Sequence, residues 1–204
     1  MTEDKATVFI VDDDPNITGA LSELIEIIDL KPAPFNSADK FLDAYQPNGP
    51  ACMVLDIRMP GMSGLELQKE LVSRGDNLPI IIITGHGDIR MAVEAMSAGA
   101  FNFLEKPFRT QELCDNIQKA VTLDTERWRN HQQQEDALKR IEKLTPAERA
   151  VLGQVVAGKT NKMISEELDV SVRAVEDRRA RMMKRLEVGS RAELLEVASA
   201  AGLR

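Results

Sequence analysis

Five polar residues stand at or just beyond the ends of four apolar runs, and their types suit phosphoryl chemistry. They are Asp12, Asp13, Asp56, Thr84 and Lys106. Clustered carboxylates repel one another, so a divalent cation is the natural compensation, and hard oxygen ligands favour Mg²⁺. A carboxylate such as Asp56 can then take a phosphoryl group as an acyl phosphate, while the metal and Lys106 neutralise its oxygens and Thr84 donates a hydrogen bond.

The elements that must bring these residues together can be predicted from hydrophobic periodicity. Apolar runs at 8–11, 53–55, 80–83 and 101–104 alternate with helical stretches up to about residue 123, which predicts a parallel sheet with helices on both faces. In an open parallel sheet, ligands bind outside the carboxyl ends of the strands. A fifth strand is predicted at 31–35, and its two prolines place it at the sheet edge because proline cannot donate to a central ladder.

The strand pattern disappears after residue 123. Residues 124–142 contain no Gly or Pro and are mostly good helix formers, so they are predicted to prolong the last helix as a polar connector. Residues 143–204 predict four short helices, divided near Gly158, at 169–171 and at 189–190. The middle pair, 161–168 and 171–186, has the pattern of a helix-turn-helix.

Composition and charge suggest two different modules in a protein without a membrane span. Residues 1–119 hold 10 basic and 19 acidic side chains (net −9), residues 120–142 hold 4 and 5, and residues 143–204 hold 12 and 9 (net +3). The basic part is therefore the candidate for nucleic-acid binding. No apolar run could span a bilayer, and the N-terminus is acidic where a signal peptide would be basic, which predicts a cytoplasmic protein with no membrane partner.

The motifs of residues 1–123 closely resemble the receiver domain of two-component response regulators. The segments "IVDDDP", "LDIRMPGMSGLEL", "TGHGD" and "EKPF" occur in the order and spacing of that family. The resemblance implies a flavodoxin-like five-stranded parallel sheet in the order 2-1-3-4-5, with phosphorylation by a sensor histidine kinase. It implies the following roles: Asp56 as phosphoacceptor; Asp13, Asp56 and the Arg58 carbonyl as Mg²⁺ ligands with Asp12 in support; Thr84, Phe103 and Lys106 as phosphoryl-binding and switch residues; and a cis peptide at Lys106-Pro107.

The segments of residues 143–204 resemble a LuxR-type helix-turn-helix. "LTPAERAVL", "AGKTNKMISEEL", "VSVRAVEDRRARMMKRL" and "SRAELLE" carry this resemblance. Together with "TGHGDIRMAVEAMSAGA", they indicate the NarL/FixJ group, and within it the FixJ branch. The family often has Gly where Asp169 stands, and commonly has Thr and His where Ala174 and Arg178 stand. The resemblance implies an all-α DNA-binding domain at 143–204, joined by a helical linker at 124–142.

A helical projection of residues 171–186 separates a core face from a free face. Val175, Arg179, Met182 and Leu186 fall on one side, and Arg179 is expected at its edge with the charged head turned outward. The predicted DNA-binding residues are Thr160, Lys162, Arg173, Glu176, Asp177, Arg178, Arg181 and Lys184. Phosphate contacts are expected from Arg173, Arg181 and Lys184, and the flanks are expected to be anchored by Thr160, Lys162 and Arg178. An acid in the major groove can accept only from a base amino group such as that of cytosine.

These observations predict a phosphorylation-controlled transcription regulator that binds double-stranded DNA, with RNA polymerase as a further candidate partner. The polar connector is expected to carry the signal, either by pairing phosphorylated receivers into a homodimer, which is favoured, or by freeing a recognition helix masked against the receiver. It is not expected to be an enzyme beyond catalysing its own phosphotransfer and dephosphorylation. One alternative is an aspartyl-phosphate phosphotransferase or hydrolase, but no Asp-x-Asp pair begins at Asp56 to supply a second acid. Another is a signalling switch that acts by protein contact without DNA.

Overall fold

The computed structural model describes residues 5–85 and 89–203. The chain divides into two compact units, residues 1–128 and residues 129–204. Within the described parts of the chain, none of the helices has the length and apolar character needed to cross a membrane.

The first unit is built on a five-stranded sheet in which every described strand pair is parallel. Its elements are β1 (Thr7–Val11), α1 (Pro15–Ile27), β2 (Lys31–Phe35), α2 (Ala38–Ala44), β3 (Ala51–Asp56), α3 (Gly64–Ser73), β4 (Ile80–Thr84), α4 (Ile89–Ser97), β5 (Asn102–Glu105) and α5 (Thr110–Glu142). The strand order is β2-β1-β3-β4-β5. The predicted parallel sheet is confirmed, and so is the edge position of the proline-containing strand β2.

Helices cover both faces of this sheet, because successive side chains of a strand point to opposite sides. One apolar cluster contains Met53, Leu55 and Ile82 with residues of α2, α3 and α4. The other contains Val54, Ile81 and Ile83 with residues of α1 and α5. All residues of β3 and β4 are buried, so the polar residues that end these two strands lie at the edge of a fully covered sheet.

The helix ends follow the local signals of the sequence. Pro15 opens α1, and the Asp14 side chain accepts from the Asn16 amide. Ser63 and Glu66 form a capping box at α3, in which each side chain satisfies the backbone amide of the other. Gly99, two residues beyond α4, has a φ of 91°, a conformation that glycine adopts without steric cost. Helix α5 continues without a break to Glu142, so the predicted extension of the last helix through residues 124–142 is confirmed.

The second unit contains four helices after the end of α5 in the residues that the structure describes. They are α6 (Pro146–Val156), α7 (Asn161–Glu167), α8 (Val172–Arg185) and α9 (Arg191–Ala200). The predicted breaks are confirmed, with Gly158 at a φ of 81° and Asp169 at a φ of 51° in the turn between α7 and α8. A single cluster that includes Val151, Ile164 and Leu194 forms the core of this unit. The α7–α8 pair is the helix-turn-helix.

Gly64 brings the start of α3 against the end of β3. A Cβ atom at this position would lie 2.2 Å from the backbone oxygen of Asp56 and 3.0 Å from the Ile57 Cα. The Gly64 amide also donates a 2.9 Å hydrogen bond to the Ile57 carbonyl. The contact therefore holds the backbone of Asp56 and leaves no space for a side chain.

We expect Gly64→Ala to lower the free energy of unfolding by about 1–3 kcal/mol, because the added methyl group must displace the backbone. Chemical denaturation measures the change. Gly19→Ala is the control: it lies inside α1 with no atom within 4 Å of an added Cβ, so it should stabilise by about 0.5–1 kcal/mol. Equal effects of the two substitutions would contradict the close approach.

Candidate functional site

Asp56 is the last residue of β3, and its carboxylate is held on both oxygens. The Lys106 Nζ donates to Oδ1 at 2.9 Å, and the Arg58 amide donates to Oδ2 at 2.7 Å. Asp56 is only 6% exposed. The strand thus delivers a nearly buried carboxylate to the carboxyl edge of the sheet, as the sequence predicted.

Asp12 follows β1 and shares the same lysine. Lys106 Nζ donates to Asp12 Oδ2 at 2.8 Å, and the Asp14 amide donates to Oδ1 at 2.9 Å. Because β1 and β3 are neighbours while Lys106 follows β5, the lysine side chain reaches past the end of β4 to both carboxylates. Two buried acids and one ammonium therefore form the centre of the site.

Burial and ion pairing shift the pKa values of Asp56 and Lys106 in opposite directions. Burial raises the pKa of the Asp56 carboxyl above its ordinary value, and it outweighs the stabilisation of the ionised form by Lys106 and the Arg58 amide. For Lys106, burial disfavours the ammonium, but the hydrogen bonds to Asp12 and Asp56 outweigh it and raise the pKa. The lysine is therefore held protonated, and the Asp56 oxygens are more basic than those of a solvated carboxylate.

The other residues predicted at this edge lie around the group formed by Asp12, Asp56 and Lys106. Thr84 ends β4 and is 1% exposed, and its carbonyl accepts from the Lys106 amide at 2.8 Å. Phe103 is partly buried against the cluster formed with α2, α3 and α4. The Asp13 side chain is exposed beside Asp12. The peptide bond between Lys106 and Pro107 is cis, as expected. His86, in the loop after Thr84, lies outside the described residues.

The donor set at this edge suits a hard cation in its chemistry. Asp12 and Asp56 offer carboxylate oxygens that each accept one protein hydrogen bond and retain a further lone pair. Across residues 5–85 and 89–203, no three His, Cys, Asp or Glu side chains already form a metal-binding group. The exposed Asp13 carboxylate and the Arg58 carbonyl would have to complete the set.

Two residues that hold this site were not predicted. Asp14 orients Asp12 through its amide and caps α1 through its side chain; an Asp directly before a first-turn proline is a capping signal that could have identified it. Gly64 holds the backbone of Asp56, but its role depends on a contact between two elements. No local pattern in one sequence distinguishes it from other glycines at a helix start.

The second candidate site is the exposed face of α8. Val175, Met182 and Leu186 are fully buried, as the projection predicted. On the opposite side the exposed residues include Arg173, Glu176, Asp177, Arg181 and Lys184, while Arg178 is half-buried. Thr160 and Lys162, at the start of α7, are also exposed. Seven of the eight predicted DNA-binding residues thus lie on α7 and α8, Thr160 is the N-cap of α7, and all eight have at least part of their surface exposed.

Polar contacts fix α8 against its neighbours. The half-buried Arg179 donates through NH1 to the Asn161 Oδ1 at 2.5 Å, so its head is held by the start of α7 instead of extending freely outward. At the other end, Arg185 donates to the Lys143 carbonyl at 3.1 Å and lies 3.5 Å from the nearly buried Glu148 carboxylate. These contacts leave the remaining charges of α8 available for a partner.

Comparisons with known proteins identify a family for each of the two parts of the chain. Residues 8–118 match the response regulator receiver domain, and residues 142–198 match the bacterial regulatory proteins of the luxR family. The chain is 40% identical over 200 residues to nodulation protein W of Bradyrhizobium diazoefficiens, covering 98% of this chain and 88% of that protein. It is 41% identical over 196 residues to the transcriptional regulatory protein FixJ of Azorhizobium caulinodans, covering 96% and 93%.

Solved structures extend the similarity to the fold. The response regulator StyR matches with a TM-score of 0.86 at 40% identity, covering 96% of this chain and 98% of that one. Full-length FixJ from B. japonicum matches with a TM-score of 0.58 at 36% identity, covering 98% of both chains. A receiver domain implies a histidine kinase partner, and a LuxR-type domain implies binding to DNA. The chain belongs to the two-component response regulators of the NarL/FixJ family, which join a receiver domain to a LuxR-type helix-turn-helix.

Proposed function

We propose that phosphorylation of Asp56 by a sensor histidine kinase controls DNA binding by the α7–α8 pair and thereby transcription. The observation that supports this most directly is the pair of buried carboxylates that share Lys106 at the carboxyl edge of the sheet. A lysine held protonated beside a strand-end carboxylate is suited to neutralise an incoming phosphoryl group. The cytoplasm is the expected location, and RNA polymerase is a further candidate partner.

In this proposal an Asp56 carboxylate oxygen attacks the phosphorus of the kinase's phosphohistidine, the P–N bond breaks, the imidazole leaves, and Asp56 becomes an acyl phosphate. Lys106 neutralises a phosphoryl oxygen, and the Thr84 hydroxyl donates to another. Asp13, Asp56 and the Arg58 carbonyl, with Asp12 in support, would hold Mg²⁺, which would supply charge neutralisation at the transferring group. Phe103 packs beside Ile82 on the neighbouring strand, so a displacement of Thr84 can change its packing.

The site is less suited to a general phosphotransferase or hydrolase. Such an enzyme needs a second acid to protonate its substrate's leaving group. The residue two positions after Asp56 is Arg58, whose side chain is exposed, and Asp12 is engaged by Lys106 and the Asp14 amide. We therefore assign this chain no reaction other than its own phosphorylation and dephosphorylation.

A small phosphodonor such as acetyl phosphate, with Mg²⁺, should add one phosphoryl group to the protein, measured by intact mass. Asp56→Asn should abolish the addition, because the amide is a much poorer nucleophile than the carboxylate. Asp39→Asn, an exposed acid in the first turn of α2, is the matched control and should be labelled normally. Undiminished labelling of Asp56→Asn would refute the assignment of the acceptor.

We propose residues 1–123 as receiver, 124–142 as linker and 143–204 as DNA-binding domain. In the last of these, phosphates would be contacted by Arg173, Arg181 and Lys184. The flanks would be anchored by Thr160, Lys162 and Arg178. Glu176 and Asp177 lie on the same exposed face of α8. They would weaken binding to any duplex while selecting base pairs that present an amino group.

Operator duplexes selected in vitro from a random pool can test this division of roles. Arg181→Ala should weaken binding to all duplexes and reduce the slope of log affinity against log salt by about 1, because one phosphate contact is lost. Glu176→Gln should raise affinity for random DNA while reducing discrimination. Lys139→Ala removes one exposed charge from α5 and is the control. If Arg181→Ala and Lys139→Ala show the same affinity and salt dependence, Arg181 does not contact DNA.

We further propose that phosphorylation couples the modules by pairing two chains. A domain of net charge +3 that presents Glu176 and Asp177 to DNA should bind weakly alone. A dimer would offer two copies of α8 to half-sites about one turn of DNA apart. The residues of 124–142, which continue α5, would carry the signal between the modules.

Sedimentation and operator binding, each with and without the beryllofluoride mimic, test the coupling. We expect the mimic to shift the protein from monomer to dimer and to make binding to an inverted repeat cooperative. Asp56→Asn should show neither change. If the protein stays monomeric but gains affinity for the operator, dimerisation is wrong as the mechanism, and release of a masked α8 explains the coupling instead.

A further inference from the structure

The last turn of α5 packs against the core of the second unit. Ile141 is partly buried against the apolar cluster of that unit, and Leu144, just beyond the helix, is a buried member of the cluster. The preceding part of the helix is different, because every residue from 129 to 136 is exposed. The segment proposed as a linker therefore ends in residues that are structurally part of the second unit.

Arginine side chains of the second unit donate to carbonyl groups at this end of α5. The last carbonyls of an α-helix have no partner within the helix. Arg149 of α6 donates to the Glu142 carbonyl at 2.9 Å, and Arg185 of α8 donates to the Lys143 carbonyl at 3.1 Å. Both guanidinium groups also place positive charge at the negative end of the helix dipole. These contacts hold both α6 and α8 to the end of α5.

Arg140 makes the reverse contact, from α5 to the end of α8. Its guanidinium donates to the Glu187 carbonyl at 3.5 Å and lies 3.9 Å from the Glu187 carboxylate. Glu187 directly follows Leu186, the C-cap residue of α8. The ends of the two helices are therefore joined in both directions, α8 to α5 through Arg185 and α5 to α8 through Arg140.

We propose that Arg140 and Arg185 are positioning residues that fix the orientation of α8 relative to the end of α5, so that a displacement of α5 also displaces the face that contacts DNA. Apolar burial is not directional, whereas hydrogen bonds hold their partners at defined angles. The apolar core keeps the two helices together, and the arginines fix the angle between them. This inference rests on the proposed control of DNA binding and names the residues through which 124–142 would act on α8.

Operator binding with and without the beryllofluoride mimic tests this role in the full-length protein. Arg140→Ala removes the contact with Glu187, and Lys139→Ala is the control because it removes the same charge from the adjacent, exposed position of α5. The ratio of the affinities with and without the mimic measures the coupling. Lys139→Ala should keep the wild-type ratio, whereas Arg140→Ala should lower it by about 3–10-fold.

Other properties of the two variants should not differ. Arg140 is not among the predicted DNA-binding residues, so the affinity without the mimic and its salt dependence should equal those of Lys139→Ala. Phosphorylation of Asp56 should also proceed normally in both. Arg185→Ala breaks the contact from the side of α8 and should lower the coupling ratio to a similar extent.

Amide hydrogen exchange tests the contact itself, independently of phosphorylation. The amides of Leu186, Glu187 and Val188 donate to carbonyls of α8, so their exchange requires the end of that helix to open. Arg140→Ala should accelerate their exchange by about fivefold, because a contact that opposes this opening is lost. Lys139→Ala should leave their exchange unchanged.

Three results would overturn the inference while the proposed function stands. The mimic could stimulate Arg140→Ala and Arg185→Ala as strongly as the wild type, or the end of α8 could exchange at the same rate in Arg140→Ala and Lys139→Ala. An equal loss of affinity with and without the mimic would limit Arg140 to the stability of the second unit. A wild-type protein that the mimic does not stimulate would instead refute the proposed control of DNA binding, and this inference with it.

Discussion

The ammonium of Lys106, placed between the carboxylates of Asp12 and Asp56, is the interaction on which the functional edge of this protein depends. Two buried carboxylates on neighbouring strands would repel each other strongly without a cation between them. Lys106 provides that cation from beyond β5, and the strand order of the sheet makes this reach possible. Charge balance at the site is thus a consequence of topology.

The same arrangement makes the Asp56 carboxylate more basic than a solvated one. Burial disfavours the Asp56 carboxylate and raises its pKa, so the folded protein maintains a carboxylate at some cost in stability. The surrounding structure holds it in place through the Arg58 amide, the close approach of Gly64 and the capping box at Ser63. Lys106 occupies one position on Oδ1 and the Arg58 amide one on Oδ2, so each oxygen of Asp56 retains a lone pair for an incoming group. A group that lowers the stability of the folded protein in this way is typical of functional sites.

In the second unit, buried side chains and polar contacts hold the helix α8 in place. A helix that must present charges to a partner needs to be anchored by other residues, and α8 is anchored by three buried apolar side chains and by polar contacts near both ends. Glu148 connects α6 to α8, since it completes the capping box of α6 and pairs with Arg185 of α8. Its pKa is lowered because hydrogen bonds from Thr145 and the charge of Arg185 outweigh the effect of burial.

The sequence by itself determined the elements and placed the candidate site residues at the strand ends. Periodicity identified the strands, the prolines of β2 placed it at the edge, and Gly158 marked a helix break, because each of these signals acts within a few residues of the chain. Only the tertiary structure decided that Lys106 bridges Asp12 as well as Asp56, that Gly64 must lack a side chain, and that Arg179 is held by Asn161. Each of these depends on atoms from elements far apart in the chain, and no local pattern records how closely two such elements approach.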